Sequence, residues 1–423
     1  MPAGDGESPK PSAFMPPPSR RELLTGNLIF YLGSRFCSGT AMTMLRAAIA
    51  WHVFALTHSA FHLGLIGLVQ FLPALGLTLI GGAVADTYER RRIIMLAQLL
   101  PLTCALILFA ATRGGFISVP LLYAMVLVIA CSASFENPAR AALLPTLVPR
   151  ELFPRAVTLA STGQALAFMS GPAGGGFVIA EFGIQSVYAS YGVLISGSLL
   201  GLALLRPGRQ SIERRAVSWP AVREGLRFVR RNHVVLGCMS LDMFAVIFGG
   251  AAALLPIYAT EILQVGPKGY GVLSGSLEAG ALLTSIALVA LPPIHRAGRA
   301  LLIAVAVYGA ATIGFGLSRW FPLSIALYML VGVADQVSVV MRSTAIQLST
   351  PDELRGRVSS VNFIFIGASN QLGAVESGFV AALINPTFSV VSGGIGCLIV
   401  GAIVAASLPE LRRYRVGGTL TKA

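Results

Sequence analysis

Apolar runs of about 20 residues or more alternate with short polar turns along most of the chain. A helix needs about 20 predominantly apolar residues to cross the hydrocarbon core of a bilayer. The pattern therefore predicts an all-α membrane protein with twelve transmembrane helices, at residues 27–56, 62–85, 93–112, 118–136, 155–180, 184–205, 233–259, 270–294, 300–318, 322–342, 357–384 and 388–408.

One stretch of the chain, Arg140–Ala180, occurs a second time as Arg342–Ala382, 202 residues further on and without a gap. Ten of the 41 positions are identical, and they include an Arg, a Pro, a Glu and a second Arg at fixed spacing. Two apolar halves that each carry the same polar turn and the same glycine-bearing helix are typical of a duplicated transporter. The repeat predicts two six-helix bundles.

The polar segments divide the chain further. We expect a disordered cytoplasmic tail at 1–26, an N-terminal bundle at 27–207, a basic cytoplasmic linker at 208–232, a C-terminal bundle at 233–409 and a cytoplasmic tail at 410–423. Within the linker, Trp219–Arg231 reads as an amphipathic helix with its apolar side chains on one face. We expect it to lie on the anionic inner leaflet, and a regulatory or partner role is the alternative.

Composition supports the membrane class. The 423 residues are 55% hydrophobic and 12% charged, with a mean hydropathy of +0.76, whereas soluble domains carry roughly 25% charged residues. The five cysteines lie in apolar segments and the five histidines lack ligand spacing, so we expect no disulfide, metal or cofactor. No phosphate-binding Gly-rich loop and no hydrolase pattern occurs, which argues against an ATP-driven pump and against an enzyme.

The net charge of +13 invites a nucleic-acid interpretation, but the placement of the charges argues otherwise. Of the 31 Lys and Arg residues, 26 fall in the tails and in the even-numbered loops. Basic loops stay cytoplasmic, so we expect both termini inside a bacterial inner membrane and no nucleic-acid partner. Arg319, Arg113 and Lys268 are the basic residues of the odd-numbered loops.

Two motifs carry candidate function. The turn after the second helix contains Gly82, Asp86 and the run Arg90–Arg92. The fifth helix contains Gly171, Pro172, Gly175 and Gly176, which remove side chains from one face and a backbone donor from the helix. A neighbouring helix is expected to approach closely at this face.

Together these motifs resemble the major facilitator superfamily (MFS). In that family the Asp of the turn accepts a hydrogen bond from the start of the eleventh helix, and the Arg pairs with an acid of the fourth. The resemblance implies that Asp86 contacts the backbone near Arg357 and that the Arg of the turn pairs with Glu136. Thr87 and Glu89 depart from the family pattern. The predicted cytoplasmic gate comprises Gly82, Asp86, Arg90, Arg91, Glu136, Arg140, Arg342 and Arg357.

The glycine motif resembles the MFS motif associated with exporters that work as antiporters. Further stretches, Pro138–Pro145, Gly249–Pro256 and Pro351–Val358, are similar to the enterobactin-exporter-like, or transmembrane secretion effector, branch. The resemblance covers about Asn27 to Leu411. It implies the two-bundle MFS fold and export of small molecules such as siderophores or drugs.

Charged residues also lie within the predicted helices. A charge at the bilayer centre costs about 2.5–3.5 kcal/mol on the insertion scale, so it must be paired, solvated or neutral. Arg35 and Asp242 occupy similar depths in the two halves, and they form either an ion pair that joins the halves or a proton site. Asp335 lies two turns before Arg342 and is interpreted as part of the gate. The remaining candidates are Arg46, Glu278, Asn370 and Glu376.

Glu278 has no basic neighbour in sequence and is placed on the outer half of the eighth helix. Proton coupling, substrate contact and a simple polar surface role all remain open for it. Asn370 and its neighbours are interpreted mainly as hydrogen-bonding contacts between helices.

The sequence as a whole predicts a monomeric secondary transporter that exports a small organic molecule, siderophore-like or drug-like, in exchange for protons. Its expected partners are that molecule, protons and membrane lipids. An importer of a siderophore or lipid is one alternative, and a non-transporting membrane sensor or scaffold is another.

Overall fold

A computed structural model describes residues 26–149, 152–205, 219–292, 294–351 and 354–414, apart from the side chains of residues 74, 75, 78, 79, 86, 219–222 and 225. Three predicted segments lie wholly or partly outside these residues. They are the tail 1–26, of which only Gly26 is described, the first part of the linker, and the end of the tail 410–423. The described part is helical. Its long helices are α1 (Gly26–Thr57), α2 (Ala60–Thr87), α3 (Arg90–Arg113), α4 (Val119–Leu143), α5 (Phe153–Phe182), α6 (Ile184–Leu204), α7 (His233–Ile262), α8 (Gly266–Ala290), α9 (Ala297–Leu317), α10 (Phe321–Leu348), α11 (Arg355–Leu383) and α12 (Pro386–Ser407).

Local sequence explains where several helices begin. Pro267 and Pro386 occupy the first turns of α8 and α12, where proline loses no helical hydrogen bond. The side chain of Asn232 accepts hydrogen bonds from the backbone nitrogens of Val234 and Val235, both at 3.1 Å, and caps α7. Asn385 caps α12 in the same way through Phe388, at 2.7 Å.

Two predicted boundaries are wrong in ways that affect function. The helix α8 lies four residues earlier than expected, because it starts at Gly266 and ends at Ala290, before Leu291, whose extended backbone precedes Pro292. Glu278 is thereby the thirteenth of 25 residues and lies in the middle of α8 rather than in its outer half. The helix α4 continues through Pro138 to Leu143, because Ala139 and Leu143 are buried against neighbouring helices.

The helix α7 is not uniform. After Phe248 its backbone passes through a turn at Gly249–Gly250, a 3-10 segment (Ala251–Leu254) and a π-helical turn (Tyr258–Ile262). Gly250 lies against the backbone of Gly373 in α11, where a Cβ would meet the carbonyl carbon at 2.8 Å. The irregular segment therefore lets α11 approach the backbone of α7.

The contacts between helices repeat after six helices. In the first half α1 packs on α5 and α6, α2 on α4, and α3 on α4 and α6. In the second half α7 packs on α11 and α12, α8 on α10, and α9 on α10 and α12. Between the halves, α5 packs on α8 and α2 packs on α11. The first six and the last six of the long helices therefore make the same pattern of contacts.

Nine helices of the described part are long and apolar enough to cross a membrane by length and composition. The other long helices are α1, α2 and α11. The helices α1 and α11 carry charged and amide side chains, including Arg35 and Arg46 in α1. In α2 the described apolar stretch ends at Pro73. Many large apolar side chains are exposed along the helices, as expected for surfaces that face lipid.

The predicted amphipathic helix is present as Trp219–Arg231, here called the linker helix. It packs on α11 and on the start of α7. Val229 is buried in the core around α7, and Glu224 forms an ion pair with Arg357 at 2.5 Å. The linker helix is thus attached to the second half of the protein.

Candidate functional site: an opening between the two halves

The two ends of the helix bundle differ in charge. At one end α2 leads into Arg90–Arg92 and α8 leads into Arg296 and Arg299. We call this the basic end, and the other the opposite end. The helices α1, α3, α5, α7, α9 and α11 run from the basic end to the opposite end, and the even-numbered helices return.

At the opposite end α5 and α8 touch through glycines. A Cβ on Gly176 would lie 2.7 Å from Cα of Gly271, and a Cβ on Gly271 would lie 2.7 Å from the carbonyl oxygen of Pro172. A Cβ on Gly275 would meet the carbonyl oxygen of Met169 at 3.0 Å. Any side chain larger than hydrogen at these positions would separate the two helices. We call this contact the α5–α8 seam.

The second contact between the halves, the α2–α11 seam, is built in the same way. A Cβ on Gly64 would lie 3.1 Å from Cα of Gly378, and a Cβ on Gly67 would lie 2.8 Å from the carbonyl oxygen of Gln371. Phe61 and Phe379 pack beside it with ring centroids 4.8 Å apart.

The glycines of the sequence repeat occupy equivalent places in the two seams. Gly176 lies against α8, and its repeat partner Gly378 lies against α2. Gly171 packs on α1, where a Cβ would meet the carbonyl oxygen of Thr40 at 2.7 Å, and its repeat partner Gly373 packs on α7. Gly175 also packs on α1, through Met44. The predicted close-packing motif therefore serves two neighbours, α1 and α8.

Side chains complete the closure at the opposite end, and the sequence did not identify them. The hydroxyl of Tyr270 in α8 donates to the carbonyl oxygen of Ala47 in α1, at 3.1 Å, and its ring lies 5.3 Å from that of Trp51. Lys268 and Glu181 form an ion pair between the halves. The available signal was that Lys268 is one of the few basic residues in an odd-numbered loop.

Towards the basic end the same helices have open space beside them. Cβ atoms on Gly76 and Gly82 in α2, Gly163 in α5 and Gly367 in α11 would have no neighbour within 4 Å. The glycine contacts between the described parts of the two halves therefore lie at the opposite end, and open space borders these four glycines towards the basic end.

The arginines of the α2–α3 turn bind carbonyl oxygens within the first half. Arg90 donates to the carbonyl of Ala142 at 3.1 Å, and Arg91 donates to those of Leu205 and Ala203, each at 2.9 Å. The expected pairing of this turn with Glu136 is wrong in this conformation. Glu136 is instead bound by Arg140, one helical turn away in α4, at 2.8 Å, and by the amide of Gln98 at 2.9 Å.

The expected ion pair between Arg35 and Asp242 is also wrong. Asp242 in α7 pairs with Arg342 in α10, and these side chains are only 9% and 5% exposed. Arg35 donates to the side-chain oxygen of Gln164 in α5 and to the hydroxyl of Tyr31, the latter at 3.2 Å. Arg35 and Arg342 each bind a polar partner within their own half. In the first half α1 packs on α5, and in the second half α7 packs on α10. The repeat partners Arg140 and Arg342 thus both hold a buried carboxylate in their own half.

The predicted contact of Asp86 with the start of α11 stays a prediction, because the side chain of Asp86 lies outside the described residues. Gly82 lies one turn before it in α2. Arg357, the expected partner region, is bound by Glu224 of the linker helix.

Polar side chains from both halves lie at one depth. With a helical rise of 1.5 Å per residue, Gln70 and Arg46 lie about 15 and 17 Å from the opposite ends of α2 and α1. Glu278 and Asp335 lie about 18 and 21 Å from the opposite ends of α8 and α10. We call these four residues the polar layer.

The polar layer is not fully buried by the protein. Arg46 is exposed although it lies well inside α1, and with Gln70 it lines a recess of about 30 Å³ formed by α1, α2 and α4. Glu278 and Asp335 are half-buried. The first half thus presents a cation at this depth and the second half presents two acids. Asp335 was expected in the gate beside Arg342, but Arg342 is paired with Asp242. We therefore assign Asp335 to the polar layer.

The last two candidates have local partners. The Asn370 amide donates to the carbonyl oxygen of Ile366 in its own helix, at 2.9 Å, and is exposed, so it does not link helices in this conformation. Glu376 is half-buried and accepts a hydrogen bond from Ser377 at 3.2 Å.

Two equivalent helical halves, apolar enough to span a bilayer and enclosing a polar layer, define the class of the protein: it is a membrane transporter. The family model for the transmembrane secretion effectors matches residues 29–415. The chain therefore belongs to this family of MFS transporters. It is a multi-pass protein of a bacterial inner membrane and not an enzyme.

Curated relatives cover nearly the whole chain. It is 28% identical over 394 residues to proteins named enterobactin exporter EntS from Shigella boydii serotype 18 and from Escherichia coli strain SE11, covering 90% of this chain and 92% of each relative.

Solved structures share the fold at low sequence identity. A POT family transporter in complex with 5-aminolevulinic acid superimposes with a TM-score of 0.69 at 11% identity, covering 91% of this chain and 96% of that one. A bacterial homologue of the human lysosomal transporter Spinster, solved inward-facing and unoccupied, gives a TM-score of 0.63 at 14% identity, with 93% and 96% covered.

Proposed function

We propose that the protein exports a small organic molecule from the cytoplasm in exchange for protons. In this proposal all twelve long helices cross the membrane, and the segments 27–207 and 233–409 form the two bundles. The observation that carries the proposal is the pair of glycine seams, which close one end while the other end is open. Alternating access requires two such equivalent halves that rock about a central site.

The basic end is proposed to be cytoplasmic. Basic loops are retained on the cytoplasmic side of a membrane, and this end carries the arginines of the α2–α3 and α8–α9 turns together with the linker. The described conformation would then be open to the cytoplasm and closed to the periplasm, the state in which an exporter loads its cargo.

The direction and cargo are supported by the relatives and by the Gly171–Gly176 motif. Proteins similar over 90% of the chain are named enterobactin exporters. We therefore propose a siderophore-like cargo that moves outward.

Within the opening, the polar layer is proposed to bind both cargo and proton. Arg46 and Gln70 offer hydrogen-bond donors from the first half, whereas Glu278 and Asp335 are two acids of the second half at a similar depth, with no basic partner among the described residues. An acid inside a membrane helix must be paired, solvated or neutral, so an acid without a basic partner is suited to carry a proton. Asp242 is less suited, because its charge is compensated by Arg342.

The test uses purified protein in liposomes with an imposed pH gradient and enterobactin as the probe. The wild type should move the probe uphill against its gradient while protons flow in the other direction. Glu278→Gln should retain downhill movement and lose uphill movement. Glu376→Gln is the matched control, because Glu376 is a half-buried acid with its own partner outside the polar layer. It should retain both.

Other outcomes would contradict the proposal in distinct ways. Uphill transport by Glu278→Gln that Glu376→Gln lacks would place the proton at Glu376. Movement of the probe only in the inward direction would indicate the importer alternative. No movement by folded wild-type protein, for the probe or for other catecholates, would favour a sensor or scaffold.

A further inference from the structure

A cleft of about 200 Å³ lies at the basic end of the second half, and its lining is almost entirely cationic. Arg296 and Arg299 come from the start of α9. Arg412 and Arg413 come from the short helix Pro409–Arg413 that follows α12, and Tyr414 completes the wall. We propose that this arginine cleft binds the phosphate headgroup of an anionic membrane lipid.

The cleft is fixed by buried backbone contacts. The nitrogen of Gly298 donates to the carbonyl oxygen of Tyr414 at 3.3 Å, and Gly298 lies directly against the backbone of Leu411. Leu411 and Tyr414 are 1% and 8% exposed, and Ala297 is buried beside them. The four arginines are direct neighbours in sequence of these packed residues. The packing therefore holds four cations around one space.

The corresponding turn of the first half uses its arginines differently. Arg90 and Arg91 bind the carbonyl oxygens of Ala142, Ala203 and Leu205, and Arg92 pairs with Glu89 at 2.6 Å. Among the described residues, the four arginines of the cleft have no such hydrogen bond or ion pair. The nearest acid in sequence, Glu410, lies 3.4 Å from His233 instead. Hydrogen bonds and one ion pair therefore account for the arginines of the first-half turn, whereas the described residues offer none to the four arginines of the cleft.

Like charges held together repel each other unless an anion lies between them. Guanidinium groups match phosphate oxygens in a fork-shaped geometry. The first backbone N–H groups of α9 add the positive end of a helix dipole to the same space. The cleft also lies where a membrane helix begins, at the level of lipid headgroups. These features fit a lipid phosphate better than an acidic protein segment.

The experiment measures lipid binding to the purified full-length protein by native mass spectrometry and by thermal unfolding. Phosphatidylglycerol supplies an anionic headgroup, phosphatidylcholine a neutral one, and inorganic phosphate a free anion. The test variant is Arg299→Gln with Arg412→Gln. The control is Arg227→Gln with Arg231→Gln, which removes the same charge from exposed positions on the linker helix.

Phosphatidylglycerol should raise the melting temperature of the wild type, and phosphatidylcholine should not. The test variant should bind phosphatidylglycerol at least about tenfold more weakly, since it removes two arginines and each contributes about fivefold in affinity near an anionic surface. The control variant should weaken binding clearly less than the test variant, because its arginines are exposed on the linker helix and do not line the cleft. Should the double variant fail to fold, Arg299→Gln and Arg412→Gln are measured singly, and each should weaken binding.

Three results would overturn the proposal. Equal weakening in test and control variants would mean that general surface charge, not the cleft, holds the lipid. Equal stabilisation by inorganic phosphate and by phosphatidylglycerol would assign the cleft to a free anion. Unchanged lipid binding in the folded test variant would remove the site.

Discussion

Closure at the opposite end should depend on the absence of a single methyl group at Gly176. A Cβ there would lie 2.7 Å from Cα and 2.9 Å from the nitrogen of Gly271, whereas carbon atoms in favourable contact lie about 3.5–4.0 Å apart. Both neighbours are backbone atoms and cannot rotate away. Gly176→Ala should therefore force α5 and α8 apart by close to 1 Å or shift the protein to the state in which they are separated.

The chain provides a matched control for this variant. Gly174 lies in the same helix, two residues earlier, is exposed, and has no atom within 4 Å of its Cβ position. Gly→Ala at either position raises helix propensity by about 1 kcal/mol. Only Gly176→Ala adds the clash, and overpacking of this kind costs about 1–3 kcal/mol. The closed state should lose about 5- to 150-fold in population relative to the control.

The measurement is the distance between spin labels on the two halves at the opposite end. Phe116 and Trp320 are suitable sites, since they lie in the α3–α4 and α9–α10 turns and are 64% and 65% exposed. The labels are placed in a background without the five native cysteines. Gly176→Ala should add or enlarge a long-distance population, and Gly174→Ala should match the parent protein. Identical distributions for the two variants would refute the role of the α5–α8 seam in closure.

Two further results are expected. Asp242→Asn should lower the melting temperature strongly, because it leaves the Arg342 guanidinium buried without its counter-charge. Breaking a buried pair costs about 3–5 kcal/mol. An unchanged melting curve would show that water or another acid replaces the Asp242 carboxylate. Lys268→Glu should weaken closure slightly, by about 0–1 kcal/mol, as is typical of exposed ion pairs. Adding Glu181→Lys should restore closure in the same spin-label experiment. No restoration would mean that this pair does not hold the halves together.

The helices and the duplication were predictable because the membrane limits the choice of structure. Backbone groups in hydrocarbon must be bonded within the segment, so an apolar run of spanning length is a helix. The repeat aligned Gly171 with Gly373 and Gly176 with Gly378, and the structure places these pairs in equivalent contacts, on α1 and α7 and on α8 and α2. The misplaced α8 shows the limit: the run of apolar residues did not reveal that Pro267 and Pro292 set its ends.

The pairing of buried charges was not predictable in the same way. Depth along a helix can be counted from the sequence, and Arg35 and Asp242 do lie at similar depths. The rotation of each helix decides which neighbour a side chain meets, and apolar segments with weak periodicity carry little information about rotation. In the structure Arg35 binds Gln164 and Asp242 binds Arg342, and the sequence had indicated neither pairing.

The construction of the seams suggests why the two halves can separate at a modest energetic cost. Helices in lipid gain little from burying apolar side chains against each other, so their association rests on close packing and a few hydrogen bonds. At the α5–α8 seam those are glycine contacts and the bond from Tyr270 to Ala47. One charge moving through 100 mV supplies about 2.3 kcal/mol, which is similar to the cost expected for one methyl group at Gly176. A seam of this kind is geometrically strict enough that one added carbon atom should hold it open.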